Sequence, residues 1–269
     1  MRTCSVLLKV VLVVFVVGAF TCGCSEFNKK PAVYVTVLTY NIHHGEDANG
    51  DLNLDAVVGI INSLKPDLVA LQEVDNKTTR VNGLDLTSEL RKRTGMLGVF
   101  GKAMDYAGGE YGEAVLFRYP VLEIKNNPLP HTPEAEPRTA LEIHVELPNK
   151  KTIAFVGTHL DHVQDETNRM MQVRQIEELF TDVDLPMILA GDLNAVPGSD
   201  PIELLRRHWT FADSNDPEPT SPSAEPKRKI DYIMFKPGRR WKVLSTKVFD
   251  DKVTSDHCPF YAVLELLPK

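Results

Sequence analysis

Ser255-Asp256-His257-Cys258-Pro259-Phe260-Tyr261-Ala262-Val263-Leu264 joins a polar tripeptide to an apolar run with strand character. Four more polar stretches stand at or just after the ends of apolar, β-branched runs: Thr39-Tyr40-Asn41, Gln72-Glu73, Thr158-His159 and Gly191-Asp192-Leu193-Asn194. An Ile230-Asp231-Tyr232-Ile233 strand falls before the last tripeptide. In a layered α/β fold, strand ends and the loops that follow them are where a site is assembled. The residues delivered there are two asparagines, two histidines and several carboxylates. That mixture suits a hard divalent cation together with a phosphate, because Mg²⁺ prefers oxygen ligands and takes few of them from protein.

Between these stretches the pattern predicts strands over 32–38, 67–71, 114–117, 121–126, 139–147, 152–158, 186–190, 230–235, 241–248 and 258–266. Helical spacing of apolar residues covers 54–64, with Asp51 or Asn53 as cap, and helices are also expected over 86–94, 166–180 and 201–207. Residues 213–229 are rich in Pro, Ser, Glu and Asp and read as a mobile surface loop. Helices and strands mix, with several hairpin-like pairs, so simple βαβ alternation is excluded. The expected class is α/β (α+β): two packed mixed β-sheets flanked by helices, in one domain over 32–269.

The first residues read differently. Arg2 and Lys9 give a basic start, 10–20 is almost wholly apolar, and Thr21-Cys22-Gly23-Cys24-Ser25 follows. This is the layout of a secretory signal peptide over 1–24, with 25–31 as a polar tether. The apolar stretch is shorter than the about 20 residues of a membrane span. Gly23-Cys24-Ser25 resembles a bacterial lipoprotein cleavage site, which would leave Cys24 lipidated and the protein membrane-anchored in the cell envelope. Cys22 departs from that pattern, so a plainly secreted protein and an uncleaved anchor stay open.

Without the leader the chain is more acidic. The whole sequence has 30 basic and 37 acidic side chains, and removing Arg2 and Lys9 leaves 28 against 37, a formal −9. Such a surface does not attract polyanions at long range. Of the 4 cysteines, Cys258 alone follows the leader, so no internal disulfide framework is expected. It reads as a small buried residue rather than a nucleophile beside His257.

Taken together, Leu38-Thr39-Tyr40-Asn41, Leu71-Gln72-Glu73-Val74-Asp75, Thr158-His159-Leu160-Asp161, Gly191-Asp192-Leu193-Asn194, Ile230-Asp231-Tyr232 and Ser255-Asp256-His257 resemble the endonuclease/exonuclease/phosphatase superfamily over nearly all of 33–267. That superfamily includes deoxyribonucleases, abasic-site endonucleases, neutral sphingomyelinases and inositol-polyphosphate 5-phosphatases. The resemblance implies a four-layer α/β sandwich and Mg²⁺- or Mn²⁺-dependent hydrolysis of a phosphate ester.

The chemistry gives each matching residue a task. A cation on a non-bridging oxygen removes the repulsion between a phosphodiester and hydroxide. Glu73 is the expected first metal ligand, with the Asn41 amide oxygen beside it and Asp256 on the metal or on a water. His257 is the candidate base, since imidazole titrates near neutral pH, and Asp231 resembles the carboxylate that orients it. Asp192 and Asn194 share one side of an extended segment. Asn194 would donate to the phosphoryl oxygen, and Asp192 would hold the attacking water or share the base role. His159 would contact the scissile phosphate. Arg80, Arg138 and Glu113 are candidates for substrate binding, arginine by its bidentate fit to phosphate. For His43 and His44, a place in the pocket and a place on a surface loop stay open, and for His162, lining the site and capping the next helix.

The substrate is less legible. The only basic clusters are 226–229 and 238–242 on an acidic chain, and duplex binding depends on phosphate contacts. Nucleic acid is therefore possible but not favoured. A small or lipid phosphodiester, handled by an exported monomer, is preferred over an extracellular nuclease, an inositol-phosphatase-like monoesterase or a non-catalytic binding protein.

Overall fold

The computed structural model describes residues 32–269, so the expected leader and tether lie outside the described residues. The Val- and Ile-rich runs pair as strands where the pattern placed them, in the order β1 (Val33–Asn41), α1 (Leu54–Leu64), β2 (Leu68–Asn76), α2 (Leu86–Thr94), β3 (Leu97–Tyr106), β4 (Gly109–Phe117), β5 (Val121–Leu129) and β6 (Arg138–Glu146). The second half follows with β7 (Thr152–His159), α3 (Thr167–Phe180), β8 (Met187–Asp192), α4 (Asp200–Leu205), β9 (Thr210–Phe211), β10 (Asp231–Lys236), β11 (Trp241–Val248) and β12 (Phe260–Leu266). Local signals set the helix ends. The Asn53 side chain, not Asp51, caps α1 by accepting from the Ala56 N–H at 3.2 Å, and left-handed Gly95 ends α2.

The strands form two six-stranded sheets, β11-β12-β1-β2-β4-β3 and β5-β6-β7-β8-β10-β9. Each contains one parallel pair, β1/β2 and β7/β8. Parallel strands need a crossover, and α1 and α3 lie in those two connections. Three apolar clusters separate the layers. One, with Val35, Val37, Leu141, Phe155 and Ile188, fills the space between the sheets. Another packs α1 and α2 on β1, β2 and β4 through Val57, Ile61, Leu90 and Leu71. The third packs α3 and α4 on the other sheet through Val173, Ile176, Ile202 and Leu189. The expected four-layer sandwich is what forms.

Two local expectations change. β3 was not anticipated, because Gly98 and Gly101 interrupt its apolar pattern. Both mark close approach rather than a loop: a Cβ on Gly98 would stand 2.5 Å from Leu116 Cδ2, and one on Gly101 2.7 Å from Asn126 Oδ1. Residues 213–229, expected to be a mobile loop, are closed at the base and tied to the fold in the middle. Lys229 and Asp213 form a buried ion pair at 2.5 Å, the Cys258 N–H donates to the Thr220 carbonyl at 2.7 Å, and the Ser223 N–H donates to the Asp256 carbonyl at 2.7 Å.

Gly191, one residue before Asp192, is the tightest point of the second sheet. A Cβ there would stand 2.0 Å from the Thr158 carbonyl oxygen. Gly191→Ala should therefore cost about 1–3 kcal/mol by forcing β7 and β8 apart. Thermal unfolding would show this as a melting temperature several degrees lower, at about 2–4 °C per kcal/mol for a domain of this size.

Candidate active site

The C-terminal ends of the two parallel pairs meet at one edge of the sandwich, and the polar stretches meet with them. Asn41 ends β1 in register with Gln72, and His159 ends β7 in register with Asp192. Glu73 reaches this edge through a bulge: the β2/β4 register shifts between Leu71 and Val74. Glu73 itself has a left-handed φ of 59°. A bulge of this kind re-aims a side chain, and the strained backbone is characteristic of functional positions.

Asn41 joins the two sheets. Its Nδ2 donates to Glu73 Oε1 at 2.9 Å and to Asp192 Oδ2 at 3.3 Å. Its Oδ1 accepts from the His43 N–H at 3.0 Å. The amide thus turns nitrogen toward the carboxylates, and direct metal ligation through oxygen would require it to rotate and give up the His43 bond. Burial works against a charge on Glu73. The His44 ring and the Asn41 amide outweigh it and hold this carboxyl well below its usual range.

On the second sheet, the Asn194 N–H donates to Asp192 Oδ1 at 2.9 Å, and Asn194 has a φ of 47°. Asn194 Nδ2 donates to the Leu160 carbonyl at 3.0 Å. Arg138 Nη1 stands 3.0 Å from His159 Nδ1. Arginine can only donate, so Nδ1 accepts, while Nε2 faces Asn194 Nδ2 at 3.0 Å and Asp192 Oδ2 at 3.4 Å. Burial and the neighbouring Arg138 charge push His159 well below the ordinary imidazole value, so it stays neutral.

Asp192 and Asp231 face each other directly across β8 and β10. His257 lies against both, with Nδ1 2.9 Å from Asp231 Oδ2 and Nε2 3.7 Å from Asp192 Oδ2. Burial alone would lower the His257 pKa, but the two carboxylates raise it, so the ring is held as imidazolium. Asp192 moves up, by burial first and then by the Asp231 charge, with His257 opposing. Ser255 secures the arrangement by donating its Oγ to the Asn41 carbonyl at 2.7 Å. Asp256 is exposed at the mouth.

Glu73, His159, Asp192, Asn194, Asp256 and His257 line a cleft of about 330 Å³, with Asn41 and Asp231 behind them. Arg138 and Arg80 both reach it, yet both are engaged. Arg138 is buried and donates to Glu136 at 2.7 Å, while Arg80 forms a two-pronged pair with Asp75 at 2.7 Å and stacks on the Tyr106 ring at 4.7 Å. His162 lines the rim, mostly exposed, 3.3 Å from Arg138 Nη2. Glu113 does not line the cleft. It is fully buried opposite the β2 bulge with both oxygens unpartnered, and burial raises its carboxyl well above the usual range. The expectation that it binds substrate is corrected: a carboxyl buried behind the wall cannot touch one. Sequence reading missed Tyr106, Tyr111 and Arg228, which also line the cleft. The tyrosines flank the β3–β4 turn, and Arg228 lies in a basic run that read as solvated surface.

The residues fit a hard divalent cation. Glu73 is ionised and opens on the cleft with Asp256, and carboxylate oxygens are the donors such an ion selects. Asp192, Asp231 and His257 also lie close enough to hold a metal. A protonated imidazole does not ligate one, and His257 is committed to Asp231.

The chain belongs to the endonuclease/exonuclease/phosphatase family, whose model matches residues 38–257. Members of this family are hydrolases of phosphoester bonds and are generally dependent on divalent metals. Solved structures repeat the fold. An endonuclease/exonuclease/phosphatase from Beutenbergia cavernae DSM 12333 superposes with a TM-score of 0.73 at 23% identity, over 87% of this chain and 72% of that one. One from Bacteroides vulgatus gives 0.70 at 24%, over 87% and 99%. A mannosyl-6-phosphatase from Bacteroides thetaiotaomicron VPI-5482 gives 0.67 at 19%, over 86% and 99%.

Asp231→Asn should bring the His257 titration down toward the ordinary imidazole value of about 6.5, read by NMR of the histidine rings against pH. The linked stability has a definite sign. A raised folded-state pKa contributes stability that is full below the unfolded-state value and is lost as pH climbs through the raised one. Asp231→Asn should flatten that alkaline loss, and an unshifted His257 would remove the ion pair as its cause.

Proposed function

We propose that this chain is a divalent-metal-dependent phosphodiesterase acting on a small or lipid-headgroup phosphodiester, exported from the cytoplasm through its leader. The observation that carries the reading is His257, held as an imidazolium between Asp192 and Asp231 beside the ionised Glu73. Such a site pairs a metal-binding carboxylate with separate proton-handling groups.

A divalent cation bound at Glu73, with Asp256 and Asn41 nearby, would neutralise charge on a non-bridging phosphoryl oxygen. The chain's own residues do the rest. Asp192 has the raised basicity to take a proton from water, and Asn41 and the Asn194 N–H hold its two oxygens in place. His257 is already protonated, so the base role expected of it passes to Asp192 in this reading. His257 then offsets the negative charge that builds up on and around the phosphorus. His159 turns its Nε2 to the same side, beside Asp192 and Asn194.

Two features favour a small diester. The cleft is of small-ligand size. Two of its three arginines, Arg80 and Arg138, are spent on Asp75 and Glu136, and the exposed Arg228 alone leaves less free positive charge than a dianionic monoester would call for. The basic run at 238–242 lies away from the site, since Arg239 and Arg240 line a separate cavity of about 430 Å³ that includes none of the site residues.

The test is hydrolysis of bis-p-nitrophenyl phosphate with Mg²⁺ or Mn²⁺ against EDTA. Metal-dependent release is expected. Glu73→Ala should abolish both the release and the metal-induced rise in melting temperature. Asp192→Asn should cost about 10²–10⁴-fold, the usual weight of a general base. If Asp192→Asn stays active while His257→Ala is dead, the base role returns to His257. Release from the monoester alone would favour the phosphatase reading, and cleavage of DNA or RNA in preference to lipid and sugar diesters would favour the nuclease. Silence on all of them, without any metal-induced stabilisation, would favour a binding protein.

A further inference from the structure

The turn that follows β1 carries donors of a second kind. His43, His44 and Glu46 each offer one ligand atom, and the three atoms lie within 4.8 Å of one another. His44 Nε2 is 3.3 Å from Glu46 Oε2. That spacing matches the edge of a tetrahedron whose ligands stand about 2.0–2.1 Å from a central ion. The His43 and His44 rings are 4.5 Å apart and tilted by 59°, so they converge without stacking flat.

The backbone holds this convergence under strain. His43 and His44 have consecutive left-handed φ values of 45° and 46°, a conformation that costs non-glycine residues free energy and marks functional positions. The turn is fixed from both sides. Asn41 Oδ1 accepts from the His43 N–H at 3.0 Å, the Glu46 N–H donates to the His43 carbonyl at 2.8 Å, and the Asn53 N–H donates to the Gly45 carbonyl at 2.8 Å.

An independent observation concerns the other face of the His44 ring. His44 Nδ1 is buried and has no hydrogen-bond partner, at 4.0 Å from Glu73 Oε2. A simple ion pair between His44 and Glu46 leaves Nδ1 short of a hydrogen bond to Glu73 and does not account for the paired left-handed residues.

We propose that His43, His44 and Glu46 bind a borderline transition-metal dication of the Zn²⁺ or Co²⁺ class, at a site distinct from the oxygen donors Glu73 and Asp256. Imidazole suits such ions, whereas Mg²⁺ is held by carboxylate and water. With Nε2 on the metal, the neutral His44 ring carries its proton on Nδ1, the atom that faces Glu73. A carboxylate–histidine–metal relay of this kind fixes the ring and its tautomer. It closes the 4.0 Å gap into a hydrogen bond to Glu73 and so orients the carboxylate that serves the hard cation. The metal site stands without the catalytic reading of Glu73; only the link between the sites rests on it.

The experiment titrates EDTA-stripped protein with Co²⁺ and follows its visible d–d absorption. Cys258→Ser serves as background, to exclude thiolate bands. One equivalent should give nitrogen-ligated bands that Zn²⁺ displaces and a large excess of Mg²⁺ does not. His44→Ala and Glu46→Ala should each weaken Co²⁺ binding at least tenfold, and Glu73→Ala should retain it. Should His44→Ala melt at low temperature, His43→Gln at the more exposed position supplies the same comparison in folded protein. Zn²⁺ should also strengthen the Mg²⁺-induced thermal shift in the wild type and not in His44→Ala. Absence of d–d bands overturns the site, and so do bands lost in Glu73→Ala but kept in His44→Ala. Protein that hydrolyses no phosphodiester yet binds Co²⁺ through His44 would uphold this site while removing the catalytic reading.

Discussion

Asp192 and Asp231 stand directly opposite each other on neighbouring antiparallel strands, both almost free of solvent. Like charges in a cross-strand pair are destabilising, and burial multiplies the cost. The last third of the chain answers that constraint. His257 has to lie against both carboxylates, so the segment before β12 must be brought to the end of β1, where Ser255 binds the Asn41 carbonyl. Residues 213–229 must then fold beneath that segment, and the Ser223 hydroxyl donating to the Ser255 carbonyl at 2.6 Å keeps them there. A loop of turn-forming composition is thereby made part of the site's support.

The sandwich builds its site by using one device twice. β1-α1-β2 and β7-α3-β8 are both parallel pairs with a crossover helix, and both deliver polar side chains at their carboxyl ends. The regular strands carry the apolar faces that bind the layers together. Two of the site's polar groups sit where regularity fails, at the β2 bulge for Glu73 and at the left-handed turn for Asn194. The apolar layers keep these strained positions from relaxing.

How much of this could be read in advance depends on whether a signal is local. The bounds of α1, α2 and β11 coincide with those expected, because capping residues and apolar spacing are properties of a few neighbours. β3 escaped because its glycines are explained only by Leu116 and Asn126 on other strands. The motif residues were legible as a set, and the structure does bring Asn41, Glu73, His159, Asp192, Asn194, Asp231, Asp256 and His257 to one edge. Their partners were not. Nothing near Arg80 or Arg138 in sequence says that one faces Asp75 and the other His159, and the burial of Glu113 follows only from the bulge across from it. The proposed transfer of the base role has the same origin, since the charge on His257 is set by carboxylates 26 and 65 residues away along the chain.

The cleft lies on the seam between the two sheets, with Asn41 and Glu73 on one side and His159, Asp192, Asn194 and Asp231 on the other. Apart from the apolar filling, contacts such as the Asn41–Asp192 hydrogen bond are what cross that seam at the site edge. A ligand seated there adds a polar crosspiece at the open end of the sandwich. By mass action it favours every state in which the sheets stay closed. Occupancy would therefore be felt far from the cleft, as slower amide hydrogen exchange in the middle of β1 and β8, where opening requires the layers to part.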